Sequence, residues 1–448
     1  MSSALSEMTR RAEKKTPNTS PVDMRRVAAI VLGGGQGTRL FPLTSTRCKP
    51  AISFGGHNRL IDISIINAIH SYCDKIYIIT QFLSTSLHKH ICRTYQGNSA
   101  FSNGFLDILS AEQRPSHDEW FQGTADAVRQ NLYYLKEAPV DYFLILSGDQ
   151  VYSMDFREMV AFANNMNADV VVGALPVNLE NAKRMGILRI DQNSNAVTDF
   201  VEKPQQTEIL DTLKLSRAFR NRLEIDESEK KFYLGSMGIY LFKRQALIDL
   251  LTSDPREDFG KHLLPTKVSQ GGAYAYIHDG YWEDIGTIKT FYEANLALTY
   301  PSAPLNYYNE AYPFIRNFSQ LPGAKIINCM INNSIICEGS IVEAEEVTHS
   351  ILGPRSVIKK GAVIRHSYIM GNDFYHPPSV DSRFPEKLHI GENTIIQKAI
   401  VDKDVYIGKG VHLVNKANLT NYDSDKVYIR EGIIVVPRGA YIPDGFNL

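Results

Sequence analysis

Near the start of the chain, in the stretch VAAIVLGGGQGTRLFPLTSTRCKP from Val27 to Pro50, Gly33, Gly34, Gly35 and Gly37 are followed by Arg39 and Lys49. Without Cβ atoms a backbone can come close to a polyphosphate and turn its N–H groups toward it. A guanidinium fork and an ammonium point charge then add fixed positive charge. A tight turn before a helix accounts for one or two glycines, but not for four followed by Arg39 and Lys49. Two common motifs are excluded. The sixth position from Gly33 or Gly35 is Thr38 or Leu40, so the dinucleotide fingerprint fails, and no Gly-Lys-Ser/Thr closes a Walker loop.

Asp149 is the first carboxylate placed for chemistry, since it follows the apolar run Tyr142 to Leu146 through Ser147 and Gly148. Such a residue is often a helix cap, and Ser147, Asp149 or Ser153 could serve. Phosphate transfer, however, needs hard oxygen ligands for Mg²⁺, usually one or two carboxylates with substrate phosphates. Asp284 offers the second, in the aromatic, glycine and acid mixture Asp279 to Thr287. In the small-residue helix start after Trp120 and Phe121, Gln122 has a donor and acceptors for a base edge, and Gly123 to Ala127 would let a helix approach a flat ligand. A plain helix N-terminus capped by Thr124 explains that spacing equally well. Lys203, between Glu202 and Pro204, reads by composition as a solvated lysine.

These residues need a scaffold, and its rhythm is strand, helix, strand. Val27 to Leu32 is a strand buried on both faces, Leu60 to Tyr72 a helix, Lys75 to Thr80 a strand, and Tyr142 to Leu146 and Asp169 to Leu175 further strands. That pattern predicts a Rossmann-like, mainly parallel α/β sheet with right-handed crossovers. Ligands in such sheets sit beyond the carboxyl ends of the strands, where Gly33 to Lys49 and Asp149 would meet. After a Pro-, Tyr- and Asn-rich linker the period changes to six. Ile335, Ile341 and Val347 are six apart, as are Ile351, Val357, Val363 and Ile369, and Ile395, Val401, Ile407 and Leu413. One inward aliphatic residue per short strand is the mark of a hexapeptide β-helix, interrupted by an insertion over 371–389. The expected division is a flexible tail at 1–22, a catalytic domain at 23–299, a linker at 300–320 and a β-helix domain at 321–448.

Composition narrows the partners. The 448 residues exceed one ordinary core. They are 44% apolar and 22% charged, with a net charge of −1, which gives nucleic-acid binding little support. Five scattered cysteines lack C-x-x-C spacing, so neither a disulfide framework nor a zinc site is expected, and a reducing cytosol fits best. No apolar run approaches the ~18 residues of a membrane span. The tail has no apolar core of a secretory signal.

The run GGGQGTRLFPLTSTRCKPAI resembles the signature of the sugar nucleotidyltransferases. The likeness extends from about Val27 to the C-terminus and is strongest to the ADP-glucose pyrophosphorylase family. It implies a nucleotidyltransferase domain followed by a left-handed parallel β-helix. It also implies Mg²⁺-dependent transfer of AMP from ATP to glucose 1-phosphate, giving ADP-glucose and pyrophosphate, as the regulated first committed step of glycogen or starch synthesis. By resemblance Asp149 and Asp284 hold the metal, and Arg39 and Lys49 grip the triphosphate. Gly33, Gly34, Gly35, Gly37 and Thr38 surround the nucleotide, with Gln122 and Gly123 against its base. Glu202 and Ser236 meet sugar hydroxyls, and Lys203 meets the sugar phosphate. Gln150 stands where histidine is more usual after the aspartate. Phosphorylated metabolites or phosphate would act as effectors between the domains at Arg47, Arg59, Lys89, Lys403 and Arg438. Lys89 and Arg438 there exchange the more usual arginine and lysine. The family implies a tetramer, of one subunit or of two related ones, in the cytoplasm or, in a eukaryote, the plastid.

The chemistry is consistent with this. A sugar 1-phosphate is already largely ionised, its second pKa being about 6, so no catalytic Ser, Cys or His is required. Cations and Mg²⁺ must bring two anions into line. Three rival readings remain: transfer from UTP, dTTP or GTP, a non-catalytic regulatory subunit, and an acyltransferase using the β-helix. The presence of both Arg39 and Lys49 argues against the second. Nothing arranges His349, His366 and His412 for the third.

Overall fold

Val27–Leu32 forms strand β1, buried on both faces. Its alternate residues serve two cores, Val27, Ala29 and Val31 in one and Ala28 and Ile30 in the other. A strand covered on both sides has no use for polar residues, which is why this run is apolar throughout. The computed structural model describes residues 22–95, 104–112, 120–310, 312–315, 320–376 and 387–448, so most of the expected tail, part of the linker and part of the 371–389 insertion lie outside them.

Further strands of the first domain are β2 (Ser53–Phe54), β3 (Asn58–Arg59), β4 (Lys75–Thr80), β5 (Phe105–Ser110), β6 (Tyr142–Ser147), β7 (Gln150–Tyr152), β8 (Val170–Val177), β9 (Gly186–Ile190), β10 (Val197–Glu202), β11 (Tyr233–Lys243), β12 (Ala273–Ile277) and β13 (Trp282–Asp284). The main sheet runs β10-β9-β11-β6-β1-β4-β5, with β8 joining β11 to β12. From β6 to β5 every pairing is parallel. The other half is mixed, because β11 runs antiparallel to β6, β8 and β9. The rhythm of alternating strands and helices is therefore kept around the glycine loop and broken around Lys203 and Ser236.

Helix α1 (Leu60–His70) packs beneath the loop. Its Ile61 side chain reaches toward both Gly33 and Gly148, and its Ser64 hydroxyl donates to the Ser147 carbonyl at 2.6 Å. Near its start lies the fully buried Asp62, which accepts from the Arg59 N–H (2.7 Å), His90 Nε2 (2.8 Å) and the Tyr95 hydroxyl (2.9 Å). Among the described residues no helix is long and apolar enough to cross a membrane, and all five cysteines are free thiols.

The second domain is a three-faced parallel β-helix. Successive coils pair Met330 with Glu346, Glu346 with Val363 and Ile395 with His412, while Val363 pairs with Ile395 across the insertion. The six-residue period holds, and Val347, Ile369, Val401, Ile407 and Leu413 lie inside the coil as expected, but at other positions the phase needs correction. Inside the coil sit Val342, Ile358, Ile364 and Ile396, each one residue beyond the expected Ile341, Val357, Val363 and Ile395. In Ile335–Ile336, Ile341–Val342, Ile351–Leu352 and Val357–Ile358 both residues are aliphatic, so spacing alone does not reveal which faces in. Ile335 and Ile351 face the other way, into the core that contains β1, and that core runs on through Tyr368, Ile400 and Val435. The two domains thus share one apolar cluster.

Burial alone would raise the Asp62 carboxyl, but the His90 charge and the hydrogen bonds from His90, Arg59 and Tyr95 hold it below the usual range. A depressed folded pKa adds stability that is present above the unfolded value of about 3.9 and lost as pH falls. Asp62→Ala should cost on the order of 3–5 kcal/mol at pH 7, as for a broken buried pair. Denaturant unfolding should show the gap between variant and wild type narrowing toward pH 3.

Candidate active site

The glycine loop leaves β1 at Gly33, whose N–H donates to the Ile79 carbonyl at 2.8 Å. Among the described residues, the N–H groups of Gly34, Gly35 and Gln36 donate to no backbone or side-chain acceptor, and a Cβ on Gly35 would meet nothing within 4 Å. The loop is therefore open on the side where phosphate oxygens could take those donors. Gly37 has a different task. It is left-handed (φ 65°), and a Cβ there would lie 2.8 Å from Lys49 Cβ. Thr38 and Arg39 follow in a single 3₁₀ turn and are exposed, so the loop leads into a 3₁₀ turn and not a long helix.

Lys49 opens a second 3₁₀ turn, Lys49–Ala51, and is only 7% exposed. Its Nζ donates to Asp149 Oδ2 at 2.6 Å and lies 4.0 Å from Asp284 Oδ1. Asp149 is carried there by β6. The Gly148 N–H donates to the Leu32 carbonyl at 3.0 Å, which clips this strand end to that of β1. Asp149 does not cap a helix: it also accepts from the Ser147 hydroxyl, and the chain continues as β7. In β7 the Cα of Gln150 pairs with that of Asp284 in β13, so a short antiparallel ladder brings the two carboxylates together. The Arg39 guanidinium lies next to Asp284 across Gly286, where a Cβ would be 3.1 Å from Asp284 Oδ2 and 3.4 Å from Arg39.

The two acids are driven in opposite directions. Burial raises the Asp149 carboxyl, but the Lys49 charge and hydrogen bond, with Ser147 and Arg39, bring it below its ordinary value. Asp284 is raised by burial and by the Asp149 charge, against the pull of Lys49, Arg39 and Lys203. Two neighbouring carboxylates repelling in this way suit a shared divalent cation, which would relieve both burial and repulsion. Among the described residues no cluster of three or more His, Cys, Asp or Glu forms a complete cage. The remaining ligands would have to come from substrate phosphates and water.

Arg39, Lys203 and Asp284 line one cleft of about 1350 Å³, together with Arg184, Lys231 and Glu283. Glu283 is raised to about 7, first by burial and then by the Asp284 charge. Lys203 is left-handed (φ 49°), 61% exposed, and 3.0 Å from Glu202 Oε1. Glu202 Oε2 lies over Gly186 and Gly260, where a Cβ would be 2.8 and 3.0 Å away. Ser236 is buried at an irregularity in β11 and accepts from the Gly238 N–H at 3.2 Å. Gln150 was noted in the sequence only as a departure from histidine. Its amide joins these parts, with Nε2 donating to the Met237 carbonyl (2.6 Å) and Oε1 accepting from Trp282 Nε1 (3.2 Å).

On the other side, Gln122 is exposed and its amide donates to the Trp120 carbonyl at 2.7 Å. The helix Thr124–Gln130 is capped by the Glu257 carbonyl, which accepts from the Ala125 and Asp126 N–H groups. Thr124 instead donates to Asp258, so it is not the cap. This segment is tied to the loop through Gln81. The Gln81 amide donates to the Phe121 carbonyl (3.3 Å), and its Cβ would be 3.5 Å from a Cβ on Gly34.

The expected effector residues largely converge between the domains. Arg47 is 2% exposed and ion-paired with Asp402 of the β-helix. Asp373 accepts from Lys403 (2.7 Å) and Arg438 (2.7 Å), and Arg438 also reaches Asp404 (2.9 Å). Burial opposes ionisation of Asp373, but Lys403, Arg438 and Arg59 bring it down to about 2. Arg59 is itself lowered to about 10 by burial and by Arg47. Lys89 stands apart, exposed on the helix Thr85–Tyr95, with no ion pair to this cluster among the described residues.

Residues 28–300 match the family model described as nucleotidyl transferase. Residues 319–446 match the GLGC left-handed parallel beta-helix domain.

Gly37→Ala combines roughly 1–2 kcal/mol of left-handed strain with displacement of Lys49. Steady-state kinetics should show kcat/KM falling on the order of 10²-fold, the penalty of a misplaced catalytic group.

Proposed function

The chain belongs to the nucleotidyl transferase family, with the two-domain architecture of the ADP-glucose pyrophosphorylases, and on that premise we propose that it makes ADP-glucose and pyrophosphate from ATP and glucose 1-phosphate. It is a sugar-1-phosphate nucleotidyltransferase, acting on a nucleotide and a sugar phosphate. The choice of adenine and glucose is our reading. It is supported by the likeness of Gln122, Glu202 and Ser236 to the family's base and sugar contacts.

The observation that carries the mechanism is the set of charges around Lys49. Its ammonium lies between the carboxylates of Asp149 and Asp284, at the end of the strand that launches the glycine loop. Arg39 and Lys49 hold the triphosphate and then the departing pyrophosphate, while Lys203 holds the sugar phosphate in the same cleft as Arg39. The sugar phosphate oxygen attacks the α-phosphorus, the bond to the β-phosphate oxygen breaks, and its electron pair leaves with pyrophosphate. No proton has to be removed from the nucleophile. Mg²⁺ held by Asp149 and Asp284 would supply charge neutralisation and alignment of the phosphates.

Regulation by an anion at the joint is proposed from the cluster of Arg47, Arg59, Lys403 and Arg438. An effector there would compete with Asp373 for Lys403 and Arg438. Five free thiols are compatible with the reducing compartment we propose for the protein.

A panel of ATP, UTP, dTTP and GTP with glucose 1-phosphate and Mg²⁺, read by pyrophosphate release, should show ATP preferred. A preference for another nucleotide would reassign the substrate. In the same assay Asp149→Asn should lose on the order of 10²–10³ in kcat, about 2.7–4 kcal/mol of transition-state stabilisation. Asp373→Asn, which weakens the competitor for Lys403 and Arg438, should shift the half-effective phosphate or sugar-phosphate concentration downward. No shift would detach these cations from effector binding.

A further inference from the structure

In the β-helix domain, where successive coils pair in parallel, the strands Tyr428–Arg430 and Ile433–Val436 pair antiparallel as a hairpin. Its second strand is rooted in the coil: it runs parallel to Ala399–Val401, and its Ile433 and Val435 lie in the apolar cluster that the two domains share. The two turn residues, Glu431 and Gly432, are both left-handed (φ 52° and 77°). Such turns favour Asn or Asp before the glycine. A glutamate held against its preference marks a side chain with a task.

Glu431 Oε2 accepts from the Lys289 N–H at 3.1 Å, a donor in the first turn of the helix Ile288–Ala297 that has no acceptor within the helix. A carboxylate also suits the positive end of a helix. At the other end of the same strand the Tyr428 ring meets Phe41 edge-on, with centroids 5.3 Å apart. The Arg430 guanidinium lies 5.4 Å from the Tyr428 ring and 6.0 Å from the Phe41 ring, held there by the Tyr422 and Ile429 carbonyls and by Asp423. Both gripped segments lead to the catalytic cleft. Phe41 closes the 3₁₀ turn that carries Arg39, its N–H donating to the Thr38 carbonyl at 3.1 Å. Lys289 follows Asp284 through a turn in which the Gly286 N–H donates to the Asp284 carbonyl at 2.9 Å. Since Arg39 and Asp284 meet across Gly286, the hairpin holds the chain on both sides of that meeting.

We propose that Tyr428 and Glu431 are positioning residues for nucleotidyl transfer: one hairpin of the β-helix clamps the Arg39 turn and the Asp284 segment at a fixed spacing. Tyr428 acts through Phe41, and Glu431 through the start of the helix Ile288–Ala297. Neither residue lines the cleft. The inference rests on Arg39 holding the triphosphate and Asp284 the metal, so the two are tested beside each other.

Steady-state kinetics of the full-length protein read this, with the nucleotide preferred in the panel, Mg²⁺ and glucose 1-phosphate each varied in turn, and with Arg39→Gln and Asp284→Asn as benchmarks. Tyr428→Ala should raise the KM for the nucleotide, and Glu431→Ala the half-saturating Mg²⁺ concentration, each on the order of tenfold, as for the loss of a partner that orients a ligating group. The KM for glucose 1-phosphate should stay unmoved, because Lys203 follows β10, which belongs to neither gripped segment. Tyr428→Phe keeps the ring edge and Glu431→Gln the acceptor oxygen, and both should return these constants to near wild-type values. Glu431 is exposed, so its variants decide the matter if Tyr428→Ala does not fold. The clamp is overturned if the benchmarks raise the two constants and the alanine variants do not, if the alanine variants raise the KM for glucose 1-phosphate equally, or if Phe and Gln fail to restore them. Benchmarks that leave both constants unmoved would overturn the roles of Arg39 and Asp284, and the clamp with them.

Discussion

The contact between Lys49 and Asp149 is the constraint on which the rest of the site depends. A lysine that is 7% exposed and a carboxylate at a buried strand end are both costly unless they meet. Their meeting requires Gly37 to have no Cβ, Gly148 to lie against the end of β1, and α1 to support both from beneath. Removing the ammonium would leave Asp149 beside Asp284 with Arg39 as the nearby compensation. The pair also sets two different acidities on adjacent carboxylates. That difference suits a site which must attract a cation and then phosphates without becoming a closed metal cage.

The same short segment reaches the second domain. Arg47 is two residues before Lys49, and its guanidinium is buried against Asp402 of the β-helix. A buried pair of this kind is weak evidence for stability, because desolvation offsets much of the attraction. It does fix register, and here it fixes the start of a catalytic segment against a coil of the other domain. The apolar cluster through Ile335, Ile351 and Tyr368 does the same over a wider area. Arg438, Lys403 and Asp373 then form a charged layer outside it. Arg59 feels both Asp373 and Arg438 of that layer and Arg47, two residues before Lys49, so the proposed effector site is electrostatically linked to this segment.

Much of this was legible in the residues. Val27–Leu32 and Lys75–Thr80 were readable to their ends, because strands covered on both faces are apolar runs bounded by glycine or charge. Glycines followed by Arg39 and Lys49 pointed to phosphate, and the structure does bring Lys49, Asp149 and Asp284 together. Non-local pairings were less accessible. The antiparallel course of β11, the cap that Glu257 gives the helix after Gln122, and the Arg47–Asp402 pair all join residues far apart in the chain. The phase of the β-helix was ambiguous because Ile335 and Ile336 are equally apolar and only packing decides between them. Gln150 gave no signal beyond its departure from histidine, since its role lies in joining two strands that meet only in the fold.

The phosphorus that the sugar phosphate attacks distinguishes nucleotidyl transfer from every other use of this site. The protein should be incubated with glucose 1-phosphate, Mg²⁺ and ATP labelled in separate reactions at the α- or the γ-phosphorus, and the products resolved. Attack at the α-phosphorus predicts α-label in the nucleotide sugar and γ-label in pyrophosphate alone. Label from the γ-position in a sugar product, or α-label retained wholly in free nucleotide, would contradict it.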